Sequence, residues 1–164
     1  MSSTKRVAVV TGASKGIGRA VAIALATDGC DIVVNYSASE TAAKETAVAV
    51  EAVGARAIVV GGDVSDVATS EHLAAVAVGE LGGLDVWVNN AGISVLAPII
   101  ETSAEDMERM LAVNYMGTFH GVQVAARTMI AAGTGGRIIN VASEAAVQTF
   151  RYLGAYAASK FAVV

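Results

Sequence analysis

Val7-Ala8-Val9-Val10-Thr11-Gly12-Ala13-Ser14-Lys15-Gly16-Ile17-Gly18 decides the fold. Its first four residues are a short, largely β-branched apolar run, the pattern of a buried strand. Glycines follow at once. Beyond them Ile17, Val21, Ala24 and Leu25 fall at i, i+4, i+7 and i+8, which predicts one apolar face of a helix. Glycine tolerates positive φ and lets a backbone approach a ligand closely. The start of a helix adds oriented N–H groups and a partial positive charge suited to a pyrophosphate. The spacing is G-x-x-x-G-x-G, and not the commoner G-x-G-x-x-G. A tight turn alone would also use these glycines. Their place after the first strand of a strand–helix alternation favours a nucleotide cradle made of Thr11, Gly12, Ser14, Lys15, Gly16, Ile17 and Gly18.

That alternation continues along the chain. Strands are expected at Ile32–Val34, Ala57–Val60, Val86–Val88 and Ile138–Val141. Helices are expected over roughly Glu40–Val53 and Thr69–Leu81. Thr102 and Glu105 have the spacing of a capping box, opening a helical region to about Ala131. A further helix begins around Tyr156. Apolar runs alternating with helices imply a parallel sheet covered on both faces. Right-handed crossovers make it doubly wound. The expectation is one Rossmann-like α/β domain over residues 1–164, with no internal linker, charge block or low-complexity segment.

Composition narrows the function classes. Hydrophobic residues are 54% of the chain and charged ones 16%, which fits a buried sheet and not disorder. A net charge of −4 offers no general attraction to nucleic acid or an anionic membrane. No apolar run reaches membrane-spanning length, and Val7–Val10 is too short for a signal peptide. Cys30 is the only cysteine, which suits a reducing, cytoplasmic compartment and a small buried hydrophobe at a strand start. His72, His120 and Cys30 lack metal-ligand spacing, so no metal is expected. The absence of a Gly-x-Ser-x-Gly elbow argues against a serine hydrolase.

The second strand refines the cradle. Many dinucleotide-binding folds place an acid at its end for the ribose 2′-OH. Here that place holds Asn35, followed by Tyr36 and Ser37. With no carboxylate to repel a 2′-phosphate, and with Lys15 able to pair with one, NADP(H) is expected over NAD(H).

Near the other end, Tyr156-Ala157-Ala158-Ser159-Lys160 puts a phenol and an ammonium on one helix face. The cation stabilises a phenolate, so the phenol yields its proton more readily. Ser143, from another element, could hold the oxygen that receives the proton. This is an acid–base arrangement for carbonyl chemistry.

The glycine loop, Asn89-Asn90-Ala91-Gly92, Asn114, Ser143 and Tyr156-x-x-x-Lys160 together resemble the classical branch of the short-chain dehydrogenase/reductase family over all 164 residues. The resemblance implies that Tyr156 is the general acid/base. Lys160 would assist it and hold the nicotinamide ribose, and Ser143 would position the substrate carbonyl. Asn114 would anchor a water in a proton relay. Asn90, Ala91 and Gly92 would line the cofactor, and Asp63 and Val64 would contact adenine. Val33-Val34-Asn35-Tyr36 is similar to 3-oxoacyl-carrier-protein reductases and sugar dehydrogenases. Phe119 to Ala126 with Gly136 to Asn140 is similar to acetoin and diacetyl reductases. Either way the expected substrate is a small-molecule carbonyl or alcohol.

Family members continue further, with two more strands and a substrate-covering loop, and are usually tetramers joined through the two helices near Asn114–Ala131 and Tyr156. The sheet is therefore expected to be incomplete on its C-terminal side, with an exposed fifth-strand edge. Two functional classes follow: an NADP(H)-dependent carbonyl reductase, or a truncated and catalytically silent dinucleotide-binding fragment.

Overall fold

A computed structural model describes residues 5–148 and 150–164. Five strands form one sheet: β1 (Arg6–Val10), β2 (Cys30–Tyr36), β3 (Ala57–Gly61), β4 (Val86–Asn89) and β5 (Arg137–Asn140). All neighbours are parallel, in the order β3-β2-β1-β4-β5. The order reverses at β1, whose partners β2 and β4 leave a crevice above its carboxyl end.

Both faces of the sheet are buried, as parallel sheets require. Val7, Val9, Val33 and Trp87 pack with Leu73, Val124 and Met129 on one face. Ala8, Val10, Ile32, Val34 and Val88 pack with Ala22, Ala26 and Val50 on the other. The first face is covered by α3 (Val67–Val76) and α5 (Gly117–Ala132), the second by α1 (Gly16–Thr27) and α2 (Glu40–Glu51). Cys30 is buried at the start of β2, and burial pushes its thiol pKa up.

Four details depart from the sequence expectation. Helix α1 buries Gly18, Ala22 and Ala26, while Ile17 and Ala24 are exposed. The small residues let the helix lie close to the sheet, which turns the contact face by one position and leaves Ile17 facing outward. The capping pair is also one residue later than expected. Ser103 accepts from the Asp106 N–H at 3.0 Å and donates to its carboxylate at 2.7 Å, whereas Thr102 donates to the Pro98 carbonyl. α3 ends at Val76 and passes into a π-helical turn, Ala77–Leu81. The long helical region is likewise three pieces: α4 (Ala104–Met110), a π-helical segment (Leu111–Met116) and α5. No periodicity argument distinguishes i→i+5 from i→i+4 bonding over so few residues.

Two close contacts fix the frame. α5 crosses the sheet at Gly121, where a Cβ would lie 2.0 Å from Asn89 Oδ1 and 2.6 Å from Trp87 Nε1. Beneath it Trp87 Nε1 donates to Asn89 Oδ1 at 2.7 Å, and Asn89 Nδ2 donates to Asn140 Oδ1 at 2.9 Å, tying β4 to β5. β5 pairs only with β4 among the described residues, and Ile139 is 46% exposed along it. The short α6 (Gly154–Phe161) packs against α4 and the π-helical segment.

Candidate active site

The loop after β1 is held by the loop after β4. Thr11 is buried; its Oγ1 accepts from the N–H groups of Asn90 and Ala91, both at 3.0 Å, and donates to the Val88 carbonyl. Asn90 Nδ2 donates to the carbonyls of Thr11 at 2.9 Å and Gly12 at 3.1 Å. Two of the three glycines are needed for these approaches. A Cβ on Gly12, whose φ is +61°, would meet Ala91 Cα at 2.8 Å, and one on Gly18 would meet Asn90 Nδ2 at 2.5 Å. Gly16 has φ +57° and open space around it. Lys15 occupies the N-cap of α1 without any side-chain cap bond, and the first turn carries no acid. The N–H groups of that turn therefore face a space that no side chain of their own fills, and Lys15 adds an exposed cation. Ser14, half-buried, presents its carbonyl to Thr46 Oγ1.

Asn35 is placed differently from expectation. Only 1% exposed, its Oδ1 accepts from the Gly12 N–H at 3.2 Å. Its Nδ2 donates to the carbonyls of Val60 at 3.3 Å and Gly62 at 3.1 Å. Asn35 is thus a buried clamp under the glycine loop, with no free group for a 2′-phosphate. The alternation of side chains along β2 carries it inward, and it is Tyr36 and Ser37 that reach the surface beyond it. Tyr36 lies over Gly61, where a Cβ would meet its hydroxyl at 3.0 Å. Asn35→Asp is consequently expected to act on stability first. A carboxylate accepts only, yet three carbonyls, of Tyr36, Val60 and Gly62, face it, a loss of about 2–3 kcal/mol. Protonation restores a donor, so the loss should shrink as pH falls; thermal melts at neutral and mildly acidic pH check this.

At the end of β3, Asp63 Oδ1 accepts from the Ser65 N–H at 2.9 Å and Ser65 Oγ at 2.8 Å, and its other oxygen pairs with Arg109. Burial works to raise its pKa, but the Ser65 and Arg109 donors outweigh it and hold the carboxyl below its usual range. Val64 is buried beside it. The cap of α3 is Asp66, whose carboxylate accepts from the Ala68 N–H at 3.0 Å.

Asn114 lies in the π-helical segment and is fully buried. Its Oδ1 accepts from the Ile93 N–H at 2.8 Å, and its Nδ2 donates to the Ile93 carbonyl at 2.9 Å and to Ser159 Oγ at 2.8 Å. Its own carbonyl accepts from Thr118 Oγ1 at 2.8 Å. The side chain therefore fastens the loop after Gly92.

Tyr156 and Lys160 project from α6 into a cleft of about 170 Å³ shared with Ile17, Asn90 and Gly92. The cradle and the tyrosine–lysine pair thus meet in one place. Lys160 is 4% exposed, and its Nζ donates to the Val141 carbonyl at 2.9 Å. No ion pair to it is formed among the described residues, and burial lowers its pKa. Two of its three protons are left for other acceptors. Ser143 stands just beyond Ala142 of the cleft wall; its Oγ accepts from the Ala145 N–H at 3.1 Å, which leaves its proton free to donate. Sequence reasoning missed Ile93, Val141 and Ser159. Two of these act through backbone groups, which carry no residue-type signal, and Ser159 stood unexamined inside the tyrosine–lysine motif.

A larger cavity, about 700 Å³, opens at the opposite, amino edge of the sheet among Arg6, Arg56, Leu81 and Asp85. Its cations are engaged already: Arg56 with Asp31 at 2.7 Å and with the Glu80 and Leu81 carbonyls, Arg6 with the Asp28 carbonyl. No metal-ligating cluster exists among the described residues.

Residues 6–164 match the family model described as short chain dehydrogenase. The chain is 44% identical over 159 residues to an L-2,3-butanediol dehydrogenase of Corynebacterium glutamicum, covering 96% of this chain and 62% of that protein. It is 37% identical over 158 residues to a diacetyl reductase, (S)-acetoin forming, of Staphylococcus epidermidis, covering 96% of this chain and 61% of that one. A solved short chain dehydrogenase from Mycobacterium avium superposes with a TM-score of 0.89 at 37% identity, over 96% of this chain and 61% of that structure. The chain thus spans about 62% of the length of the curated relatives it matches.

Proposed function

The chain belongs to the short-chain dehydrogenase family, and from that membership we propose reversible hydride transfer between NADP(H) and a secondary alcohol/ketone pair. The observation that carries the reading is the shared cleft: Tyr156 and a buried, acid-free Lys160 stand beside the glycine cradle. The cradle fits a dinucleotide, since the first turn of α1 is uncapped and acid-free and Gly16 opens onto free space. Thr11, Gly12, Ser14, Gly16, Ile17 and Gly18 would hold the pyrophosphate side, with Lys15, Tyr36, Ser37, Asp63 and Val64 towards adenosine and its 2′-phosphate and Asn90, Ala91 and Gly92 towards the nicotinamide. Asn35 supports the loop from below.

When bound, the cofactor supplies the hydride, and the residues of the chain do the remainder. Ser143 donates to the substrate oxygen and so orients the carbonyl. Tyr156 delivers the proton to that oxygen in reduction and takes it back in oxidation. Lys160 stabilises the phenolate left behind and uses its remaining protons on ribose hydroxyls. Asn114 keeps Ile93 and Gly92 in place along the cleft; anchoring a relay water is the further role proposed for it.

A small vicinal diol, acetoin or diketone is the favoured substrate, supported by the names of the two curated relatives; a 3-oxoacyl thioester is the alternative. Association of copies through the long helix is supported by Tyr115, Met116 and Phe119, at 38%, 37% and 45% exposure along it. No helix among the described residues is long and apolar enough to cross a membrane. A cytoplasmic location belongs to the same proposal.

The preference for NADP(H) is supported by the acid-free end of β2 and by exposed Lys15. Glu40, at the start of α2, is paired with Lys44 at 2.7 Å. A charge-assisted contact is worth roughly 1.5–3 kcal/mol, so Lys15→Ala should weaken NADPH binding about tenfold to a hundredfold and leave NADH nearly unchanged. Fluorescence titrations with both cofactors test this; equal or tighter NADH binding by the unmutated protein reverses the preference. Binding without turnover of diacetyl or acetoin would favour the silent dinucleotide-binding reading instead.

A further inference from the structure

Ser159 lies between Tyr156 and Lys160 in sequence, is fully buried, and has no part in the chemistry described above. Its hydroxyl donates to the Tyr156 carbonyl at 2.7 Å and accepts from Asn114 Nδ2 at 2.8 Å. The first bond is ordinary, since serines in helices often bond back to a carbonyl of the preceding turn. The second is not, because it reaches a different element, 45 residues away in sequence. A serine hydroxyl has one proton. With that proton committed to Tyr156, Ser159 can only accept from Asn114.

Both Nδ2 protons of Asn114 are then committed, one to Ser159 and the other to the Ile93 carbonyl, and Oδ1 receives the Ile93 N–H. Ile93 follows Gly92, and both line the cleft. A continuous buried path therefore runs from the backbone of Tyr156, through Ser159 and Asn114, to the loop that forms part of the cleft wall. Lys160 is tied separately to Val141. The helix carrying the reactive pair is thus fastened by polar bonds at two points, and Ser159 makes one of them.

We propose that Ser159 is a positioning residue whose hydroxyl clasps α6 to Asn114 and so sets the spacing between Tyr156 and Lys160 and the Gly92–Ile93 loop. The inference rests on the cleft being the reactive site. Without the hydroxyl, an Asn114 N–H is left with no partner in a site closed to water. The amide is then free to swing away from Ile93, and the loop loses the two bonds that define it.

The test is amide hydrogen exchange of Ile93, followed by NMR in the full 164-residue chain, together with an NADPH titration. In Ser159→Ala the Ile93 amide should exchange about tenfold faster or more, and NADPH should bind several-fold more weakly. Ser159→Cys, nearly isosteric and a weak donor and acceptor, should fall between, and it decides the matter if the alanine variant does not fold. A lowered melting temperature with Ile93 exchange and NADPH affinity unchanged would make Ser159 an ordinary helix residue and overturn the proposal. Failure of the unmutated chain to bind NADPH would strike the functional reading, while Ile93 exchange still decides the clasp.

Discussion

On the proposed reading, Tyr156→Phe in a protein of the relatives' full length is expected to lower turnover of a small diketone by about 10²- to 10⁴-fold, the usual worth of a positioned general acid. The substitution keeps the ring that packs in the cleft and deletes only the proton donor. Lys160, its bond to Val141 and the whole glycine cradle stay as they are. Affinity for NADPH should therefore change little, within about twofold. The separation of the two readouts is the point: steady-state kinetics with diacetyl, beside a binding titration, distinguishes a lost proton donor from a damaged site. Retained turnover in the phenylalanine variant would remove Tyr156 from the mechanism.

Gly121→Ala sets two effects of opposite sign against each other. In the middle of α5, alanine improves on glycine by about 1 kcal/mol in helix propensity. The new Cβ, however, would stand 2.0 Å from Asn89 Oδ1 and 2.6 Å from Trp87 Nε1, which are bonded to each other. Neither is the far end of a flexible chain; both side chains are buried within β4. Overpacking costs typically 1–3 kcal/mol, and breaking the buried bond adds about 1–3 more. Crowding wins, with a net loss of about 1–5 kcal/mol. In a domain of this size each kcal/mol moves the melting point by roughly 2–4 °C, so a drop of about 10 °C is expected by calorimetry. An unchanged or higher melting point would mean that α5 does not press on the sheet at Gly121.

The parts of this molecule written in periodicity were legible. Val7–Val10 and Ile32–Val34 announce a two-faced sheet because parallel strands need apolar residues at every position. The glycine loop announces the crevice because glycine adopts φ near +60° at little cost, as it does at Gly12 and Gly16. Tyr156 and Lys160 share a face through helical spacing alone. What escaped depends on which of two neighbouring positions turns inward. Asn35 and Tyr36 differ by one step along β2, and only the register against β3 sends Asn35 under the loop. Ile17 and Gly18 differ by one step around α1, and the close approach of Gly18 to Asn90 decides which is buried. Ser143 stands out in the sequence by its place before Tyr156, but its bond to Ala145 depends on a turn of three residues, Glu144–Ala146, that has no periodic signature. Ser159 and Asn114 find each other only once the π-helical segment has set the angle of its turn.

The strand order also bears on how the chain is made. β1 is central, yet one of its partners, β4, begins at Val86. During synthesis from the N-terminus, β1, β2 and β3 with α1 and α2 can pair while the other edge of β1 stays bare until β4 has emerged. Such an edge is a template for wrong pairings, and contacts between segments far apart in sequence form slowly. Thr11 carries this dependence into the loop itself: among the described residues its hydroxyl is bonded to Val88, Asn90 and Ala91 alone. The glycine loop is therefore encoded first and finished late, and a nascent chain shorter than about Gly92 holds the loop without the residues that shape it.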